Sequence, residues 1–273
     1  MVISMFTSYF GLSCNPFIKN ESSKYKFESN DFKEMISRLN YLKEVKGIGL
    51  FVGTSGLGKT YTLKYFVDSL NKDLYKVIYV NATSYMNNFD FFKIICDELG
   101  IEVGACYKTD IYNKIQNELK KMVNQFRINP IIIIDDAHLL SRGILSNLKV
   151  LYDFDMDSID YITLILVGYP ELKHELSKIV YETINQRIIV NYLFKGFSRL
   201  EVEDYIKTRL EIANASTDIF DKNSFSSLAQ ACKASPRVLN TLVLNCLMLA
   251  SQNNLTKINS EIVMNAKKEM NLL

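Results

Sequence analysis

Residues 53–60 read Gly53-Thr54-Ser55-Gly56-Leu57-Gly58-Lys59-Thr60, the pattern G-x-x-x-x-G-K-[ST]. The chemistry this spacing can do is phosphate binding. Glycine reaches backbone conformations that a Cβ forbids, so successive N–H groups can turn inward on one anion. An apolar stretch, Ile48 to Val52, precedes the loop, and a helix is expected from about 59 to 70. The positive end of that helix would point at the same anion. Lys59 can reach terminal phosphates, and the Thr60 hydroxyl can ligate Mg²⁺. ATP and Mg²⁺ are therefore the expected ligands. The expected binding set is Gly53, Thr54, Ser55, Gly56, Leu57, Gly58, Lys59 and Thr60, with Tyr61 next to it.

A phosphate loop of this kind needs an acidic metal partner at the end of another buried strand. The run Ile131-Ile132-Ile133-Ile134-Asp135-Asp136 supplies one. A carboxylate at the C-terminal end of a strand faces the crevice where open α/β sheets bind nucleotides. Asp135 is expected on the Mg²⁺ side, and Asp136 is expected to polarise the attacking water. One strand, 76–80, separates the two motifs in sequence. That arrangement fits the P-loop branch that usually hydrolyses ATP and orients water with an acid.

The elements that must hold these residues can be read from the pattern. Strands are expected at 48–52, 76–80, 131–134, 161–168 and 188–193. They are continuous apolar runs, as in strands buried on both faces of a parallel sheet. Helices alternate with them near 31–46, 59–70, 88–99 and 109–126. In the first, Phe32, Met35, Ile36, Leu39 and Leu42 fall on one face, and Asp31 with Glu34 makes a capping box. Alternating strands and helices predict an α/β, three-layer P-loop NTPase core around a parallel five-stranded sheet. After 197 the strands stop. Ser198 and Glu201 form a capping box for a helix to about 213, and helices follow at 222–233, 236–251 and 260–270. The expected division is an irregular lead-in at 1–30, an α/β core at 31–196 and a small all-helical module at 197–273.

With these motifs placed, the chain resembles the AAA+ ATPases of the ExeA type and the related transposition-helper ATPases TnsC, TniB and MuB, over roughly residues 9–270. Tyr9-Phe10-Gly11-Leu12 with Asn15-Pro16-Phe17 is similar to that family's N-terminal signature, and the resemblance implies that Pro16 and Phe17 border the adenine. Leu166-Val167-Gly168-Tyr169-Pro170-Glu171-Leu172 is similar to its sensor-1 region, with Tyr169 in the sensing position. Gln186-Arg187 resembles the segment that carries an arginine finger, so Arg187 would reach a neighbouring subunit's ATP. Glu201, Tyr205-Ile206 and Arg209-Leu210 resemble the opening helix of the AAA+ lid. Ser235-Pro236-Arg237 with Asn240 resembles the sensor-2 helix, which implies that Arg237 meets the γ-phosphate. Two positions depart from the family. Asp136 stands where Glu is usual, and losing one methylene retracts the carboxylate by about 1.5 Å. Misplacement of about 1 Å can cost roughly 100-fold in rate, so slow hydrolysis is expected. Tyr169 stands where the family often has Gln or Asn. His138, in the run Asp135-Asp136-Ala137-His138, is expected to be packed and is given no chemistry.

Composition excludes several classes. The chain has 273 residues, 48% hydrophobic and 23% charged, with a net charge of +2. That balance excludes a polybasic protein that holds nucleic acid by bulk charge alone. The five cysteines, at 14, 96, 106, 232 and 246, form no C-x-x-C pair and do not stand at zinc spacing with His138 or His174. Buried reduced thiols, a cytoplasmic location and no membrane span are expected. The partners expected from the resemblance are further copies of the chain in a ring or filament, double-stranded DNA and a transposase. A secretion-associated role of the ExeA type is the alternative. It would carry a membrane span and further domains after the ATPase, and neither is expected here because the sequence ends at Leu273. A slow nucleotide-dependent assembly switch is the other alternative, favoured by the Asp135-Asp136 pair. For DNA contact, the basic segment Lys108, Lys114, Lys120, Lys121 and Arg127 and the loop Thr83 to Asn88 stand out only weakly.

Overall fold

Four consecutive isoleucines need cover on both sides of a strand, and they find it. Ile131 to Ile134 are fully buried in β3 (Asn129–Asp135). The computed structural model describes residues 3–18, 27–103, 108–154 and 160–270. The other strands are β1 (Gly47–Val52), β2 (Tyr75–Asn81), β4 (Thr163–Gly168) and β5 (Ile188–Leu193). They form one sheet in the order β2-β3-β4-β1-β5, with every neighbouring pair parallel. The expected five-stranded parallel sheet of a P-loop NTPase is therefore present.

Alternate residues of each strand serve opposite faces. Leu50, Ile78, Ile132 and Leu164 share a core with Phe91, Phe92 and Ile95 of α4 (Asn88–Leu99) and Ile111, Ile115 and Leu119 of α5 (Lys108–Asn124). The alternate set Phe51, Ile131, Ile133, Ile165 and Val167 is equally buried. On that second face, a Cβ at Gly49 would lie 2.5 Å from Leu42 Cδ2 of α2 (Asn30–Val45), so the glycine gives the helix room to seat on β1. Helix α3 (Lys59–Ser69) leads off directly from the glycine loop.

The chain divides into two compact units. One comprises Glu34–Thr54 and Lys59–Phe194, and the other Met1–Lys33, Ser55–Gly58 and Lys195–Leu273. The first holds the sheet, with short helices α6 (Arg142–Asn147), α7 (Pro170–Leu176) and α8 (Glu182–Asn185) between the later strands. The second holds α9 (Arg199–Ile212), α10 (Lys222–Ala231), α11 (Pro236–Gln252) and α12 (Ser260–Glu269). Its core gathers Val202, Ile206, Leu228, Leu239, Val243 and Val263, together with Phe6, Leu12 and Phe17 from the start of the chain.

Two expectations are corrected. The lead-in is not wholly irregular, because Ile3–Tyr9 forms a helix, α1, which touches α11. Asp31 and Glu34 do not form a capping box at α2. Ser29 Oγ accepts the Phe32 N–H at 3.2 Å instead, and Glu34 pairs with Arg38 at 3.1 Å. Asp31 is drawn away by better donors: its carboxylate accepts the N–H groups of Lys195 and Gly196, at 3.0 and 2.7 Å. The box at α9 forms as expected from Ser198 and Glu201.

Candidate functional site

β4 lies between β1 and β3, and the register pairs Val52 with Gly168 and Leu166 with Ile134. The glycine loop after β1 and Asp135 at the end of β3 thus lie at the same, C-terminal, end of the sheet's strands. They stand two strand spacings apart, about 10 Å. That distance suits a phosphate and its cation on one side and a carboxylate on the other.

In the loop, Gly56 and Gly58 have φ of +80° and +93°, the left-handed region that glycine occupies without strain. Among the described residues, and apart from its chain neighbours, no atom lies within 4 Å of where a Cβ at Gly58 would be, so the cradle is open there. Lys59 is buried at 8% exposure, and its Nζ donates to the carbonyls of Gly53 and Thr54, each at 2.7 Å. Leu57 is buried, whereas Thr54, Ser55, Thr60 and Tyr61 are exposed. A buried ammonium, left-handed glycines and a helix start in one loop form a donor set that fits a polyphosphate.

Asp135 is buried at 4% exposure. Its Oδ2 accepts the Thr60 hydroxyl at 2.8 Å and the Tyr79 hydroxyl at 3.1 Å, and its Oδ1 accepts the Asp136 N–H at 3.0 Å. These partners are two hydroxyls and one amide, all uncharged. A buried carboxylate held by neutral donors gains from a cation beside it. Among the described residues no group of three or more His, Cys, Asp or Glu side chains could hold a metal. Mg²⁺ commonly binds in such places through one or two protein oxygens plus phosphate and water.

Tyr79 was not among the residues expected from sequence. Burial, then the charge of Asp135 and the hydrogen bond to it, then the charge of Asp136, push its phenol well above the usual tyrosine range. It is a donor at any physiological pH.

Asp136 turns the chain in a left-handed conformation, φ +51°, and its side chain is 47% exposed. His138 Nδ1 lies 4.0 Å from Asp136 Oδ1, and the His138 ring stacks on Tyr169 at 4.0 Å between centroids. The Lys59 Nζ is 5.5 Å from the centroid of the Tyr169 ring. The α/β unit therefore brings Lys59, Thr60, Asp135, Asp136 and Tyr169 to one strand-end cluster.

Within the helical unit, Arg237 is exposed and its Nη1 donates to Ser55 Oγ at 3.0 Å. Its backbone N–H donates to the Gly56 carbonyl at 3.3 Å, held there by Pro236 in the first turn of α11. Two other residues of the resemblance meet here, as Tyr205 donates to Asn240 Oδ1 at 2.8 Å. Pro16 and Phe17 are buried, Phe17 in the core of this unit. Arg187 stands apart from the cluster. Its guanidinium lies 4.7 Å over the Tyr152 ring, with Nη1 3.9 Å from Asp160.

Residues 42–176 match the AAA domain family. The chain is 27% identical over 249 residues to general secretion pathway protein A of Aeromonas hydrophila, covering 90% of this chain and 45% of that protein. It thus spans less than half the length of this relative. Among solved structures it is similar to Cdc6p from Pyrobaculum aerophilum, with a TM-score of 0.68, 17% identity, and coverage of 93% of this chain and 70% of that one. It is also similar to the Aeropyrum pernix ORC1 protein in complex with DNA, with a TM-score of 0.65, 17% identity, and coverage of 93% and 68%. The sheet order and the strand-end cluster are those of a P-loop NTPase fold, and residues 42–176 are similar to the AAA domain family.

Proposed function

We propose that this chain binds ATP with Mg²⁺ at the strand-end cluster, hydrolyses it slowly, and in the ATP-loaded state assembles on double-stranded DNA to recruit a transposase. The observation that carries the nucleotide part is the 2.8 Å hydrogen bond from Thr60 to the buried Asp135. It joins the phosphate loop to the strand-end carboxylate, the two groups that share a Mg²⁺ ion in P-loop enzymes. In this reading Gly53 to Thr60 cradle the phosphates, with Lys59 at the β- and γ-positions. Thr60 and Asp135 would hold Mg²⁺, which would supply neutralisation of the phosphate charge. Asp136 holds the attacking water and takes its proton. Tyr169 senses the γ-phosphate, Arg237 pairs with it, and Pro16, Phe17 and Tyr61 border the nucleotide. Arg187 serves the site of a neighbouring copy. Residues 1–30 are the adenine-side lead-in, 31–196 the ATPase core and 197–273 the lid.

The DNA part rests on the resemblance to transposition helpers, supported by a structural neighbour that is in complex with DNA. Among the described residues no helix is long and apolar enough to cross a membrane, and a cytoplasmic setting is part of the proposal. The relative from Aeromonas hydrophila favours a second reading, a secretion-associated ATPase.

Mobility-shift assays and imaging of the chain with duplex DNA test the choice. With a non-hydrolysable ATP analogue, DNA-dependent rings or filaments are expected, with binding that falls steeply as salt rises. Without nucleotide, binding is expected to be lost. No DNA binding in either state would overturn the helper reading and favour the secretion reading.

A further inference from the structure

Asp135 is expected to hold its cation through an oxygen whose direction must be fixed beforehand. Thr60 contributes one donor to that oxygen, Oδ2. Tyr79 contributes the other, from a different strand and at 3.1 Å. In the β2–β3 register Tyr79 faces Ile133, and Asn81 faces Asp135. Tyr79 therefore lies two residues short of Asp135 on the same face of the sheet, an offset of about 6.6 Å along the strand. A phenol is long enough to cover that offset, whereas a serine or threonine is not. Tyr79 is 42% exposed, so burial of an aromatic does not by itself explain the residue.

We infer that Tyr79 is a positioning residue that holds the Asp135 carboxylate in place for the divalent cation. The inference rests on the reading of the site as a Mg²⁺–ATP site and deepens it. The Thr60 hydroxyl would have two tasks, offering its oxygen to the cation while its proton goes to Asp135. The Tyr79 hydroxyl has one. It donates to Oδ2 whether or not a cation is bound, and so keeps the carboxylate from swinging when nucleotide and metal exchange. Outer partners of this kind typically change metal affinity by about 10–100-fold when removed.

The test uses the full chain and Tyr79→Phe, which removes only the hydroxyl. ATP affinity is measured by calorimetry twice, in EDTA and with Mg²⁺, and the ratio gives the gain from the metal. In Tyr79→Phe the affinity in EDTA is expected to stay within about twofold of wild type, and the gain from Mg²⁺ to shrink about tenfold. Thermal melts of both proteins without ligand check that Tyr79→Phe stays folded at the assay temperature; a modest fall in midpoint is expected from the lost hydrogen bond. An undiminished gain from Mg²⁺ in Tyr79→Phe would overturn the inference. So would an equal loss of affinity in EDTA and Mg²⁺, which marks general support of the loop. The site reading fails separately, if wild type itself gains nothing from Mg²⁺.

Discussion

Asp135 and Asp136 are adjacent in sequence and differ in almost every physical respect. Asp135 is buried and takes three hydrogen bonds, whereas Asp136 is half exposed and sits in a left-handed turn. One is held by three donors, and the other reaches outward on a short arm. If Asp136 orients water, the missing methylene limits the rate. Asp136→Glu is then expected to raise ATP turnover, by up to roughly 100-fold if the whole deficit is positional. Steady-state phosphate release measures it, and a fall would show a site built around aspartate. The motif residues were legible because their spacing is fixed by chemistry within a few positions of chain. Tyr79 was not, because its partner lies 56 residues away. Its signal was faint: it is the one hydroxyl-bearing side chain in the run Lys76-Val77-Ile78-Tyr79-Val80, near the strand end that faces the site. Cys14 also departs from expectation. It is exposed, while Cys96, Cys232 and Cys246 are buried, and Cys106 lies outside the described residues.

The strands and long helices were readable because their apolar periods are strong and Gly, Asn and Pro punctuate them. Helix α4, with its Asn87 cap, capping box and Gly100 terminus, spans the expected 88–99. The seven-residue α1 was not readable, since it carries no acidic residue in its first turn and no basic one in its last. The Asp31–Glu34 spacing misleads for a different reason. Local spacing suits a cap, but two backbone N–H groups more than 160 residues away compete for the same carboxylate. That carboxylate ties the start of α2 to the Lys195-Gly196 elbow, where Gly196 has φ +80° and a Cβ would meet the Ala234 carbonyl at 2.3 Å. Asp31→Ala leaves these N–H groups without their charged acceptor. It is expected to destabilise the protein by about 1.5–3 kcal/mol, read from urea unfolding midpoints at constant slope. A change below about 0.5 kcal/mol would show that water replaces the carboxylate at no cost.

At the scale of the molecule, the net charge of +2 first argues against nucleic acid. Assembly changes that arithmetic, because many copies on one duplex sum modest contacts into strong attachment. Under the proposed reading, the near-neutral balance predicts DNA binding only when ATP has gathered several copies. In the chain as described, Arg187 rests on Tyr152 and Asp160, so service to a neighbour's site would begin with its release from both. All of this depends on one claim, that the glycine loop and Asp135 form an ATP site. The direct measurement is calorimetric titration of ATP with Mg²⁺ into the wild-type chain and into Lys59→Ala. The account predicts saturable one-site binding by the wild type and none detectable in Lys59→Ala, with both proteins folded by circular dichroism. Equal ATP affinity in the two proteins would contradict it.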